Sequence, residues 1–163
     1  MTSSHTKSSV MEILSVIKDP EIPVVSIEEM GMLRDVQFRE GVWEIIITPT
    51  YTGCPAMGII EQDIRATLHQ QGIDAVKVTL QYAPAWTTDW MSDSTKEKLT
   101  QFGIAAPVHS SCLHAFEPQS LQVVCPRCGL QQTRLLSAFG STACKALYSC
   151  LHCHEPFDSF KCH

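Results

Sequence analysis

Long apolar runs are missing from this 163-residue chain. The longest, around Ile45-Ile46-Ile47, falls far short of the ~20 residues a membrane-spanning helix needs. A membrane partner is therefore not expected. No hydrophobic block follows the polar start Met1 to Ser9, so a secretory signal is not expected either, and the cytoplasm is the default location. Positive charge is scarce too: 12 Lys and Arg against 17 Asp and Glu leave a net charge of −5. That balance offers no electrostatic basis for binding nucleic acid. The excess of acid is uneven, with 8 basic and 15 acidic residues up to position 120 and 4 against 2 beyond it. Four basic residues are too few for strong phosphate contact. Aromatic residues make up only 7%, but a hydrophobic fraction of 44% is ample for a globular core. Cysteine is nearly absent from the first two-thirds of the chain, where Cys54 stands alone.

The remaining seven of eight cysteines, and five of seven histidines, follow residue 108. In a reducing cytosol such a cluster reads as metal ligands rather than disulfides. Cys125-Pro-Arg-Cys128-Gly129 and Cys150-Leu-His-Cys153 are two C-x-x-C pairs separated by 21 residues. Each pair fits a tight turn that points two thiolates the same way, and Gly129 suits the backbone bend behind the first. Two such knuckles give four sulfurs in a tetrahedron, which Zn²⁺ accepts without ligand-field cost. A segment of about forty residues has too little core to fold without a staple, which argues against merely buried thiols. Iron in a rubredoxin-like site, or a labile cluster, is the competing occupant. Cys144 and Cys162 are further candidate ligands or exchangeable thiols, while His152, His154 and His163 read as packing neighbours.

Upstream, Val10, Ile13, Leu14 and Ile17 repeat at helical spacing until Asp19-Pro20 stops the helix. An irregular segment over 21–27 follows. Residues 32–39 and 42–48 read as strands joined by a turn at Glu40-Gly41, the second apolar enough to be buried on both faces. Met57, Ile60, Ile64 and Leu68 mark a helix closed by Gly72, and Val76, Val78 and Leu80 mark a third strand. The expected fold is α/β: a small two-layer helix–strand–strand–helix–strand domain followed by a C-terminal zinc-ribbon-like module. Ser94 and Glu97 suggest a capping box for one more short helix ending near Gly103. The expected boundaries are 1–107 for the α/β domain, 108–120 for a linker and 121–163 for the cysteine-rich module.

Cys54 sits in Thr50-Tyr-Thr-Gly-Cys-Pro-Ala56. Pro55 suits the first helical position, which makes Cys54 the capping residue. There the helix dipole and free N–H groups would lower the thiol pKa and favour thiolate. A small apolar residue filling space at a helix start explains the same position equally well. Asp19-Pro20-Glu21 is a second polar group, also explained by a simple helix-stop turn. Covalent catalysis by Cys54 would need a nearby base, and the nearest histidine along the chain, His69, lies far down the following helix.

The segments Asp19-Pro-Glu-Ile-Pro-Val-Val-Ser-Ile, Thr48-Pro-Thr-Tyr-Thr-Gly-Cys-Pro-Ala and Ala83-Pro-Ala-Trp-Thr-Thr-Asp-Trp-Met resemble the metal–sulfur cluster biosynthesis family. The tail, from Cys125-Pro-Arg-Cys-Gly through Phe139-Gly-Ser-Thr-Ala-Cys-Lys to Glu155-Pro-Phe157, is similar to the branch associated with phenylacetyl-CoA epoxidase systems. The resemblance implies a non-catalytic accessory or maturation protein in aerobic phenylacetate degradation. It also implies epoxidase components as partners, above all the iron–sulfur reductase, with a stoichiometric structural adaptor subunit as the alternative and a homodimer left open. Its implied cofactors are structural Zn²⁺ in the tail and a transient Fe or Fe–S cluster elsewhere. It carries a functional thiol onto Cys54, with Thr52, Asp19 and Glu21 as members of that site.

Overall fold

The computed structural model describes residues 5–107 and 123–161. The linker expected at 108–120 lies outside the described residues, as does Cys162. The chain divides into two compact units, one ending at Trp86 and the other starting at Thr87.

In the first unit, α1 (Lys7–Ser15) starts at a capping box in which Thr6 and Ser9 satisfy each other's backbone N–H groups. Strands β1 (Leu33–Arg39) and β2 (Val42–Ile47) pair antiparallel. Between them Glu40 and Gly41 take φ of 51° and 83°, the left-handed pair that a tight two-residue hairpin requires. The helix α2 (Ala56–Gln70) then crosses over to β3 (Val76–Leu80), which pairs parallel with β2 and completes the order β1-β2-β3. The helix–strand–strand–helix–strand order read from the sequence is the one observed.

Ala56, Ile60, Ile64 and Leu68 recur every fourth residue along α2 and are all buried. Val10 and Leu14 of α1 and Val36, Ile45 and Ile47 of the sheet are buried as well. Each such aliphatic side chain contributes roughly 1.5–3 kcal/mol by leaving water. The expectation that β2 is buried on both faces does not hold. Trp43, Ile45 and Ile47 are buried, but Glu44 and Ile46 are only half-buried. Glu44 uses that open face to accept from Lys77 Nζ at 2.9 Å and Thr79 Oγ1 at 2.7 Å. One helical layer covers one side of this sheet.

The second unit begins with a 3-10 turn at Thr88–Trp90 and α3 (Asp93–Phe102). Ser92, and not the Ser94 suggested by spacing, caps α3 by accepting from Thr95 N–H. Gly103 ends it with φ 97°. Next come β4 (Ile104–Ala105), β5 (Thr133–Ser137), β6 (Lys145–Cys150) and β7 (Pro156–Phe160), in the sheet order β4-β7-β6-β5. The boundary expected at residue 107 is therefore displaced. Ile104 and Ala105 pair parallel with Asp158 and Ser159, so α3 and β4 belong with the cysteine-rich sheet. A two-residue strand is too short to leave a periodic signal, and its partner lies far downstream. Among the described residues no helix is long and apolar enough to cross a membrane.

Candidate thiol and metal sites

The two C-x-x-C pairs fold into matching turns. In the first, Cys125 N–H donates to Leu130 O at 2.9 Å and Gly129 N–H donates to Cys125 O at 2.9 Å, with Gly129 at φ 74°. In the second, Cys150 N–H donates to Glu155 O at 3.0 Å and His154 N–H donates to Cys150 O at 3.1 Å, with His154 at φ 62°. His154 thus does in the second turn what Gly129 does in the first, despite the strain a side chain adds there. The reading of His154 as a packing neighbour missed this role, and the available signal was its place as the last residue of C-x-x-C-x.

The four sulfurs lie within 4.8 Å of one another. Cys125 and Cys153 Sγ are 3.7 Å apart, and Cys128 and Cys150 Sγ are 3.5 Å apart. Zn–S bonds of about 2.3 Å at tetrahedral angles place sulfurs about 3.8 Å apart, so the tetrad has the dimensions of one sulfur-bound ion. The electrostatics agree. The Cys153 N–H, aided by the His152 N–H and the neighbouring thiols, lowers the Cys150 thiol to about 6. Cys128 moves the other way, to about 12: the Leu130 N–H favours its thiolate, but desolvation and the adjoining Cys150, Cys125 and Cys153 sulfurs outweigh it. One thiolate forms easily and resists its neighbours, so four together require a cation.

This tetrad is also part of a core. Cys125 and Cys150 are buried with Ala105, Ala146, Tyr148 and Phe157, and the Tyr148 and Phe157 rings stack at 6.1 Å. Cys144, a further candidate ligand, is not brought to the site. It precedes β6 while Cys150 ends it, and ~3.3 Å per residue puts them about 20 Å apart. Cys144 is buried instead, with its sulfur 3.0 Å from Thr142 Oγ1.

Cys54 lies in the first unit, on the loop from β2 to α2. Its N–H donates to Tyr51 O at 3.3 Å across a turn in which Gly53 takes φ 83°, and its carbonyl accepts from Met57 N–H at 3.3 Å. Pro55 occupies the N-cap position, one residue later than expected for the cap. The sulfur still meets the helix start by accepting from Ala56 N–H. Asp19 and Glu21 act on it electrostatically, and the Tyr51 side chain hydrogen-bonds to it. Thr52 is exposed on the same turn. Asp19 is buried, and its Oδ1 accepts from Glu21 N–H at 2.8 Å and Ile22 N–H at 2.9 Å. The helix itself ends earlier, at Ser15, and Asp19 builds a turn in the loop that follows and so places Glu21 beside it. Tyr51 is the member of this group that the sequence did not single out.

The lowered Cys54 pKa expected from the helix dipole is reversed. Burial is the largest influence and pushes the thiol up, and Glu21 and Asp19 add to it against the opposing Ala56 N–H and Tyr51 hydroxyl. His69 is no base for this thiol. It pairs with Asp74 at the far end of α2, about 20 Å from Ala56 at ~1.5 Å per residue.

Both units match known proteins. Residues 7–82 match the family model described as iron–sulfur cluster assembly protein, and residues 110–161 match the PaaD zinc beta ribbon domain. A protein of Escherichia coli (strain K12), provisionally named as a component of 1,2-phenylacetyl-CoA epoxidase, is 52% identical over 92% of this chain and 89% of its own length. The chain belongs to the PaaD family. A protein of Porphyromonas gingivalis (strain ATCC BAA-308 / W83) named Fe-S protein maturation auxiliary factor is 30% identical over 58% of this chain and 91% of its own. Among solved structures, a domain of unknown function from Bacillus anthracis is 28% identical over 57% of this chain and 90% of its own, with a TM-score of 0.53. This chain thus joins an assembly-type α/β unit, which carries Cys54, to a ribbon that carries the tetrad.

Proposed function

We propose that this protein is an accessory maturation factor of a phenylacetyl-CoA epoxidase system. It assists assembly or repair of the iron–sulfur cluster in the reductase component, with Cys54 as the exchange thiol. The observation that carries this reading is the meeting of Cys54 with Asp19, Glu21 and Tyr51 in the unit that relatives named as Fe-S maturation factors share. In this reading the cluster is cargo. A sulfur–iron bond forms as the Cys54 S–H bond breaks, and the proton leaves to water. The raised thiol keeps Cys54 protonated at rest, which protects it from oxidation between transfers.

Cys125, Cys128, Cys150 and Cys153 would hold zinc, which supplies a structural crosslink and no turnover. The burial of Cys125 and Cys150 in the ribbon core, with Cys153 packed against it, supports that role over a labile cluster. The test is Cys54→Ser, co-expressed with the reductase. Expected is a well-folded variant whose reductase partner loses iron and acid-labile sulfide. Full cluster occupancy in that partner would overturn the reading.

The name of the Escherichia coli relative, which makes it part of the epoxidase, favours a second reading: a stoichiometric adaptor of the oxygenase. That reading predicts stable co-purification and loss of turnover when this protein is omitted, even with fully matured reductase. Maturation predicts no such loss.

A further inference from the structure

The two sheets have four edge strands among the described residues, and three of them are blunted. β1 carries Arg34, Asp35 and Arg39 and breaks register between Leu33 and Asp35. β4 is two residues long, and β5 breaks register between Leu135 and Ser137. β3 alone is regular, pairing with β2 without interruption from Val76 to Leu80. Such an edge is a template for another strand. The Trp43 N–H donates to Ala75 O and the Gln81 N–H to Ile47 O, both at 2.8 Å. In a parallel ladder this alternation turns residues 75, 77, 79 and 81 toward β2, so the N–H and C=O groups of Val76, Val78 and Leu80 point outward. Their side chains share the α2 side of the sheet with Trp43, Ile45 and Ile47, the residues they pair with. At one end of this edge Leu80 is 41% exposed and Tyr82 53%. At the other end Val76 borders a cavity of about 340 Å³ shared with Arg65, Ala66, His69, Ile73 and Asp74. That cavity opens on the free edge, because Arg65 Nη1 donates to Val76 O at 2.7 Å.

We propose that β3 is the two-fold interface of a homodimer, in which the β3 strands of two copies pair antiparallel about Val78. A projection at one end of an edge strand and a hollow at the other is what an isologous contact requires. Val76-Lys-Val-Thr-Leu80 alternates apolar and polar residues symmetrically about Val78. Antiparallel pairing therefore sets Val78 against Val78 of the second copy. It also brings Leu80 of the second copy beside Val76 on the α2 side, where its side chain enters the cavity against Ala66 and Ile73. The two Val78 residues exchange both N–H···O bonds. Leu80 N–H of each copy donates to Val76 O of the other, which has a lone pair left beside Arg65. On the opposite face Lys77 meets Thr79 of the second copy rather than another Lys77, and its charge stays paired with Glu44 at 2.9 Å. The two three-stranded sheets become one of six strands. This goes beyond the maturation reading and does not depend on any role for Cys54.

The test is sedimentation equilibrium of the full-length, metal-loaded protein between about 1 μM and 1 mM, with amide hydrogen exchange at both ends of that range. Expected is a monomer–dimer equilibrium in which the Val78 and Leu80 amides exchange more slowly as the dimer fills. Val78→Pro deletes an outward N–H that β2 does not use, a change an edge position tolerates. It removes both central bonds of the pair, so association weakens roughly tenfold or more. Leu80→Glu withdraws the projection from the cavity and weakens association to a similar degree, with thermal unfolding of the monomer unchanged. It carries the test if Val78→Pro fails to fold. A wild-type protein still monomeric at about 1 mM overturns the proposal. A dimer that Leu80→Glu leaves intact has its interface elsewhere and overturns it too. So does protection of the Val78 and Leu80 amides that appears only when the reductase is added, which gives the edge to an extended segment of that partner.

Discussion

Gly140 offers a sharp test of how the ribbon is closed away from its metal. A Cβ added there would lie 2.3 Å from Asp158 Oδ1 and 3.3 Å from both Asp158 Cγ and the Lys145 carbonyl carbon. The first distance is about 1 Å inside ordinary carbon–oxygen contact. Retreat is restricted, because Gly140 N–H is tied to Lys145 O at 2.7 Å. Asp158 must therefore move, and its carboxylate is committed. Ser141 N–H and Oγ donate to it at 3.3 and 2.7 Å, and Lys145 Nζ, whose side chain is 4% exposed, lies 3.8 Å away. Two hydrogen bonds at about 1 kcal/mol each, plus a weakened partner for a buried ammonium, give about 2–4 kcal/mol for Gly140→Ala. Native-state hydrogen exchange at the amides of β6 and β7 reads this loss in the ribbon alone. The discriminating measurement is a double-mutant cycle. In an Asp158→Ala background the clash and its hydrogen bonds are already gone, so Gly140→Ala adds less than about 1 kcal/mol. Asp158→Asn, which keeps the volume, leaves the penalty in place. An equal cost for Gly140→Ala in all three backgrounds, or no cost at all, refutes the reasoning.

Removal of the ribbon metal with a strong chelator should abolish the chemical-shift dispersion of β5, β6 and β7 while the amides of β1, β2 and β3 stay native. A structural zinc site supplies roughly 10–16 kcal/mol, several times what Tyr148 and Phe157 contribute by burial. A ribbon that keeps its native spectrum without metal contradicts this. Asp35 gives a separate pH test. The Lys7 ammonium, then the Gln37 amide, hold its carboxyl down at about 2, below the ordinary value of 3.8. Its stabilisation is complete above the unfolded value and is lost as pH falls through the folded one. Because Lys7 is exposed, the effect is at most about 1 kcal/mol. Asp35→Asn should flatten the stability–pH curve between about pH 4 and 2, and an unchanged curve rules the pair out as its source.

What the sequence made legible was local. Apolar spacing of 3.6 placed α2, Glu40-Gly41 placed the hairpin, and the two C-x-x-C pairs placed a tetrad whose ligands the fold brings within 4.8 Å. Hidden were the features that depend on partners distant in the chain. Nothing around Ile104-Ala105 announces pairing with Asp158 and Ser159, so the domain boundary read from composition fell too late. Cys144, which composition groups with the tetrad, is removed from it by the length of one strand. Cys54 shows the same limit at the level of charge. A helix start is visible in Gly-Cys-Pro-Ala and argues for a lowered thiol pKa. The burial that decides the opposite comes from packing, and the carboxylates that reinforce it come from residues 19 and 21. A dipole contributes at most about 1–2 kcal/mol and fades within one turn. At Cys54 desolvation by burial, reinforced by Glu21 and Asp19, outweighs that favourable influence. The protonation of Cys54 is therefore set by the groups that meet there in space, and not by the helix start alone.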